Sequence, residues 1–195
     1  MSVRVEALIG TRLVAHLPDV ARLRISVFRE YPSLYDGDLD YERQYIAAFA
    51  ASPNAVIVAA FDGGEVVGAS TAAPLATQMN EVIAPFVAHG EDLDAYFYFG
   101  ESVLSPAHRG HGLGVRFFEA REAQARACCA KITSFCAVVR PDDHPKRPEG
   151  YVPLDAFWGK RGYAPRPGLI CHLSWKEIGA SQESPKPMQF WMKRL

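Results

Sequence analysis

Residues 95–140 constrain the fold more than any other part of the chain. An aromatic, β-rich run, "AYFYFGESVLS", passes through Pro106 into Arg109-Gly110-His111-Gly112-Leu113-Gly114. A long charged helix pattern, "GVRFFEAREAQARACCA", and a second β-rich run, "KITSFCAVVR", follow. Strand, turn, helix and strand in that order make one β-α-β crossover, which places two parallel strands in a sheet with the helix across one face. The patterns on either side are antiparallel. "NAVIVAAFDGGEVVGASTAA" is two β-rich runs joined by Asp62-Gly63-Gly64, a hairpin signature. "GLICHLSWKEI" and "PMQFWMKRL" are two further strands, with "GASQESPKP" as the loop between them.

"VRVEALIG" alternates as a first strand, and "LPDVARLRISVFRE" and "DYERQYIAAFAAS" carry helical spacing. "TQMNEVIAPFVAHG" holds a helix interrupted near Pro85, and "LDAFWGKRGY" a short helix ending at Gly162. The expected architecture is therefore α/β: a mixed, mostly antiparallel central sheet with helices on both faces, not a doubly wound parallel sheet. At 195 residues the chain reads as one domain, 1–195, with enough apolar residues (49%) to fill a core.

Composition narrows the partners. A formal net charge of -1 offers no general attraction for nucleic acid or an anionic membrane surface. No apolar run approaches the roughly 18 residues of a membrane span, and the N-terminal arginines do not suit a signal peptide. Cys128, Cys129, Cys136 and Cys171 lack metal-type spacing and read as reduced, buried thiols of a cytoplasmic protein. His144 near Asp142 and Asp143 superficially suggests a metal, but three close residues in a proline-rich loop rarely make a site, and no metal is expected.

Glycine in regular structure costs roughly 0.5–1 kcal/mol relative to alanine, so three alternating glycines before a helix call for a reason. A helix N-terminus presents unpaired N–H groups and about half a positive charge; glycines let a large anion reach them, and Arg109 adds a cation. The segment reads as a phosphate or pyrophosphate cradle. It is not a Rossmann loop, because Val115 and Arg116 stand where the third glycine would fall. It is not a Walker loop, which needs G-x-x-x-x-G-K-[ST]. It matches Arg-x-x-Gly-x-Gly at Arg109, Gly112 and Gly114.

With that loop, its "VLSPAHRGHGLG" entry and the later "FWGKRGYAP", the chain resembles the GNAT (GCN5-related) N-acetyltransferases, most densely from Tyr96 to Pro165. The resemblance implies acetyl-CoA as cosubstrate. Its pyrophosphate would be held by the backbone of Arg109, Gly110, His111, Gly112, Leu113 and Gly114, and its pantetheine arm by Val103 and Leu104. Parting of this strand from "KITSFCAVV" would open the slot where thioester meets acceptor. Trp158 stands where family members commonly carry a tyrosine general acid; an indole N–H is far too weak an acid for that task, so Trp158 and Phe157 are expected to pack against the cofactor arm. Tyr151, Tyr163 and Ser105 are the alternative acids, or the thiolate leaves unassisted. Tyr151 also falls where an Asn often contacts that arm.

Acetylating an alkylamine of pKa about 10.4 calls for a base, since about one part in 2,500 is neutral at pH 7. Glu101 is the candidate: in "YFYFGESVL" it is expected to share one strand face with Phe97, Phe99 and Val103, where burial raises a carboxyl pKa. The alternative is a structural glutamate paired with Arg116 or Arg121. The loop "RPDDHPKRPEGY" and residues 74–94 are expected to help form the acceptor site, or else to be solvated loops. His108 and His111 are given no catalytic role. The function implied is acetyl transfer to the amine of a small molecule or peptide by a monomer or homodimer. The alternatives are a catalytically weak acyl-CoA-binding module and a transferase that uses a longer acyl-CoA.

Overall fold

A computed structural model describes residues 3–195. β1 (Arg4–Leu8) leads into a short α1 (Gly10–Ala15), which the sequence pattern did not suggest, and then α2 (Leu17–Phe28). Pro18 and Asp19 occupy the first turn of α2, where a missing N–H costs nothing and a negative charge suits the helix dipole. α3 (Leu39–Ala50) is capped by Asp38, whose carboxylate accepts from the Tyr41 N–H at 2.9 Å. The hairpin β2 (Val56–Asp62) and β3 (Glu65–Pro74) follows, then α4 (Asn80–Ala88) and β4 (Tyr96–Leu104). α5 (Leu113–Ala127), β5 (Ile132–Val138), α6 (Asp155–Gly159), β6 (Ala164–Lys176) and β7 (Glu183–Arg194) complete the chain.

The seven strands form one sheet in the order β1-β2-β3-β4-β5-β7-β6. Neighbours are antiparallel except β4 and β5, which pair in parallel from Tyr96↔Ile132 to Tyr98↔Ser134. Beyond that point the two strands part. Helices cover both faces, so β2 is buried almost throughout. Its residues alternate: Val56, Val58 and Ala60 meet Phe117 and Phe118 of α5, whereas Ile57, Ala59 and Phe61 meet Leu13, Val20 and Ile46 of α1–α3. α4 closes the far half of the second face, with Val82 and Phe86 against Leu169, Cys171 and Phe190.

Four expectations need correction. First, Pro85 does not interrupt α4. It removes one N–H, yet the helix continues and the His89 N–H closes on the Pro85 and Phe86 carbonyls (3.2 and 3.1 Å), because burial of Val82 and Phe86 holds both turns in place. Second, most of "GASQESPKP" is strand, since β7 begins at Glu183 and pairs Pro185 with Ser174 and Pro187 with His172. The Val139 N–H donates to the Pro187 carbonyl, so the nitrogens of these prolines face away from β6, and the β6–β7 ladder loses no bond to them. Third, of the four cysteines only Cys171 is buried: Cys128 and Cys136 are partly exposed, and Cys129, at a φ of 59° just past the end of α5, is exposed.

The fourth correction matters most. Between Ser70↔Ser102 and Ala72↔Phe99 the register slips by one residue, so β4 carries a bulge at Gly100–Glu101. A side chain at Gly100 would collide with Thr71 Oγ1, which explains the glycine. The extra residue exchanges the faces of the strand. Phe97 and Phe99 pack with α5, but Val103 joins Leu8, Leu13 and Val20 on the opposite side, and Glu101 goes with it.

Candidate functional site

At the C-terminal end of β4, a short turn over Pro106–His108 delivers the chain to Gly110 (φ 81°) and Gly112 (φ 78°), the N-cap of α5. Both conformations are left-handed, where other L-residues are strained. A Cβ built on either glycine meets nothing within 4 Å, so the backbone here borders open space. Among the described residues, the N–H groups of Gly110, His111, Gly112, Leu113 and Gly114 have no backbone acceptor. Gly114 serves a different purpose: its Cβ would come 3.1 Å from Phe157 Cζ, so it lets α6 approach α5. His111 is exposed, and His108 Nε2 faces Asp62 Oδ2 at 3.2 Å. The Arg109 side chain is already engaged. Its guanidinium meets both oxygens of Glu30 (2.8 and 3.1 Å) and its Nε donates to the Leu104 carbonyl at 3.1 Å.

The divergence of β4 and β5 opens a groove of about 1970 Å³ that starts at this loop and reaches α3, α4 and β6. The Ser105 N–H donates to the Val67 carbonyl, and this sets the phase of the ladder. The peptide groups of Val103 turn to Ala69 of β3, and those of Ser102 and Leu104 turn to the slot. Val103 itself is fully buried. Ser102 is thus the strand residue that sequence reasoning passed over, and Leu104 the one it placed in the slot. Trp158 borders the groove edge-on to Phe135 and Trp191, with ring centroids 5.1 Å away in each case.

Glu101 lines the same groove but is not set among apolar neighbours. Its Oε2 lies 2.6 Å from Arg24 Nη1, and Arg24 also binds Glu42 through Nε. The guanidinium is held between the rings of Tyr45 and Phe28, 4.4 and 5.0 Å from their centroids. Burial pushes the Glu101 carboxyl above its usual range; Arg24 pulls it down, and Glu42 adds to the rise. Burial alone would lower Arg24, but Glu101, Tyr45 and Glu42 carry it above its ordinary value. Glu101 Oε1 is buried and has no hydrogen-bond partner. Neither Arg116 nor Arg121 pairs with this carboxylate. Arg121 instead braces the bulge, its Nη1 donating to the Thr71 and Glu101 carbonyls (3.5 and 3.4 Å) beneath Phe99 and Phe118. Burial brings its pKa down to about 10.

The alternative acids separate. Tyr163 is buried, sharing a hydrogen bond with Thr133 Oγ1 (2.8 Å) and donating to Glu122 (3.2 Å), and it belongs to the core behind the slot. Tyr151 lines the groove against Tyr31, with ring centroids 4.7 Å apart, and Arg147 lies over its ring. Sequence reasoning did not single out Tyr98, whose hydroxyl lies 3.2 Å from Cys136 Sγ where β4 and β5 part. The 140–151 loop roofs the groove. Arg140 Nε donates to the Pro32 carbonyl (2.8 Å), Arg147 pairs with Asp142 (2.7 Å), and Lys146 reaches the Ile178 carbonyl (2.7 Å).

Among the described residues, no group of three or more His, Cys, Asp or Glu side chains is placed to hold a metal ion. None of the described helices is long and apolar enough to cross a membrane.

The glycine cradle, the parted strands and the order of the sheet agree with sequence comparison: the acetyltransferase (GNAT) family pattern matches residues 18–148. The chain belongs to the GNAT acetyltransferase family. Its fold is shared with ribosomal-protein-alanine N-acetyltransferase from Brucella melitensis (TM-score 0.61, 13% identity, 97% of this chain and 99% of that one). It is shared equally with yncA from Salmonella typhimurium, solved with acetyl-CoA (TM-score 0.60, 12% identity, 98% and 94%). The polyamine N-acetyltransferase of Drosophila melanogaster, which forms N-acetylagmatine, has it too (TM-score 0.62, 11% identity, 100% of each chain). Curated protein sequences contain no match to this GNAT chain.

Proposed function

We propose that the chain transfers an acetyl group from acetyl-CoA to the amine of a small molecule or peptide. The observation that carries this reading is a single continuous groove, running from the open N–H cradle at Gly110–Gly114 along the slot-facing edge of β4 to the buried carboxylate of Glu101. The cradle fits a pyrophosphate, because both left-handed glycines leave free the space that a side chain would fill. The peptide groups of Ser102 and Leu104 would hold the pantetheine arm as a further strand would, with Trp158 and Phe157 beside it. Glu30 neutralises much of the charge that Arg109 could offer the phosphates.

When bound, the thioester supplies an activated acetyl carbonyl. The chain's own part is to exclude water and to take a proton from the amine. Glu101 is the base in this proposal, acting directly or through a water at Oε1. Its raised pKa brings it towards a useful working range, and Arg24 holds the carboxylate in place. Tyr163 is committed to Thr133 and Glu122, and Tyr151 and Tyr98 are the groove-lining hydroxyls we take as candidate acids. In this proposal residues 1–195 form one domain that acts in the cytoplasm as a monomer or homodimer.

Two observations favour a second reading, a catalytically weak acyl-CoA-binding module: Trp158 stands in the position of the usual acid, and Glu101 is already held by Arg24. Thiol release from acetyl-CoA with a panel of amines separates the two readings, and longer acyl-CoA donors in the same assay test donor length. Glu101→Gln should lower acetyl transfer by about 10²–10⁴-fold with CoA affinity retained. Unchanged turnover would remove Glu101 from the chemistry.

A further inference from the structure

The acceptor end of the groove carries a buried cluster of charged side chains. Arg24 holds Glu42 and Glu101 there, and Arg121 donates to the Glu101 carbonyl from behind the bulge; all four are buried. Glu101 is 6% exposed, and its Oε1, buried in the groove wall, has no hydrogen-bond partner; the Thr71 hydroxyl lies close enough to lower the carboxyl pKa. A buried carboxylate oxygen without a partner is costly unless something supplies a hydrogen bond. On the rim, Glu81 belongs to α4 and forms no ion pair among the described residues.

The cations of the groove present the opposite case. Five arginines line it, and each is committed: Arg24 to Glu42 and Glu101, Arg109 to Glu30, Arg140 to Glu177, Arg147 to Asp142, and Arg121 to backbone carbonyls. A ligand carboxylate would meet arginines whose charge is already matched by a carboxylate or taken up by carbonyls, whereas a ligand ammonium meets a carboxylate oxygen that has no partner. The surrounding wall is aromatic, from Tyr41 and Tyr45 of α3 through Tyr98 to Trp175 of β6. The Tyr45 ring already carries Arg24 and that of Trp175 carries Lys186, so what this wall offers a ligand is an apolar, aromatic surface that can bury its body.

We propose that this end of the groove recognises a protonated amine with no carboxylate near its nitrogen, carried on an apolar or aromatic body, and that Glu101 Oε1 accepts from its ammonium. The inference names the acceptor class for the acetyl-transfer reading and rests on it for the site's role, but recognition is measured without turnover. The probes are tyramine, tyrosine (the same body with an α-carboxylate) and tyrosol (the same body with a hydroxyl in place of the ammonium). Each is titrated by calorimetry into the full chain saturated with CoA. Tyramine should bind at least about tenfold more tightly than either of the others, one decade of affinity being the least that a charged contact of this kind commands. In Glu101→Gln the advantage of tyramine over tyrosol should fall below about threefold.

Tyrosine binding as tightly as tyramine would overturn the proposal. So would tyrosol binding as tightly, an undiminished tyramine preference in Glu101→Gln, or no binding of tyramine at all. The three ligands decide the matter on the unaltered protein should Glu101→Gln fail to fold. A protein that binds tyramine selectively but never releases thiol from acetyl-CoA refutes the acetyl-transfer reading and leaves this inference standing. One that acetylates tyrosine in preference to tyramine overturns this inference alone.

Discussion

Replacing Arg24 with methionine removes the cation from the most heavily loaded polar cluster of the molecule. Its partners are Glu101 Oε2 at 2.6 Å and the Glu42 carboxylate, and the side chains of all three residues are 9% exposed or less. Stripping one partner from a buried ion pair costs about 3–5 kcal/mol, because the remaining charge is left without compensation. Loss of the contacts with the Tyr45 and Phe28 rings adds to this, and the apolar fill of methionine offsets part of it. At about 2–4 °C per kcal/mol for a chain of this size, the melting temperature should fall by roughly 6–20 °C.

The loss should depend on pH, with a definite sign. Two buried carboxylates facing each other without a cation have folded pKa values above the unfolded value of about 4.3. Between those values the native state binds more protons than the unfolded state, so stability falls as pH rises through the window. The deficit relative to the unaltered protein is therefore greatest near pH 8 and shrinks towards pH 5. The unaltered protein shares the trend weakly, because burial already raises Glu101. Urea unfolding of both proteins at pH 5 and pH 8 measures this. A second substitution, Glu42→Gln, should return part of the loss at pH 8. A deficit under about 1 kcal/mol at pH 8, or one that grows on acidification, would refute the electrostatic argument.

Two further predictions concern the cofactor end. Gly112→Val places a branched side chain in the open space of the cradle at a φ of 78°. CoA binding by calorimetry should fall beyond detection, while circular dichroism reports an intact fold destabilised by about 1–3 kcal/mol. Glu30→Ala frees Arg109 from an ion pair whose side chains are 44–45% exposed. Since such exposed pairs are worth about 0–1 kcal/mol, CoA should bind up to about fivefold more tightly, and weaker binding would mean that Glu30 positions the arginine for the phosphates.

The cradle was legible because its signal is local. Left-handed backbone at Gly110 and Gly112 and an uncapped helix start at Leu113 require a particular residue type within a few positions. The hairpin at Asp62–Glu65 and the single crossover were legible for the same reason. Glu101 was found as a residue but misplaced as an environment. Strand alternation assigned it to the face of Phe97 and Phe99, and the bulge, of which Gly100 is the sequence trace, turned it over to α2. Ser102 was missed because the phase of β4 follows from its pairing with β3.

The sequence by itself determined the alternation of strands and helices, the single parallel crossover and the left-handed glycine turn that opens α5. Each rests on dihedral preference and side-chain periodicity over a handful of neighbours. Only the tertiary structure decided that Arg24 and Glu42, 18 residues apart, would enclose Glu101, and that Arg109 would be held by Glu30 from 79 residues away. Residue type states what charge a side chain can bear. Which opposite charge it meets is set by packing, because the hydrophobic faces of α2 and α3 must be buried against the sheet before Arg24 and Glu42 can close on Glu101 of β4.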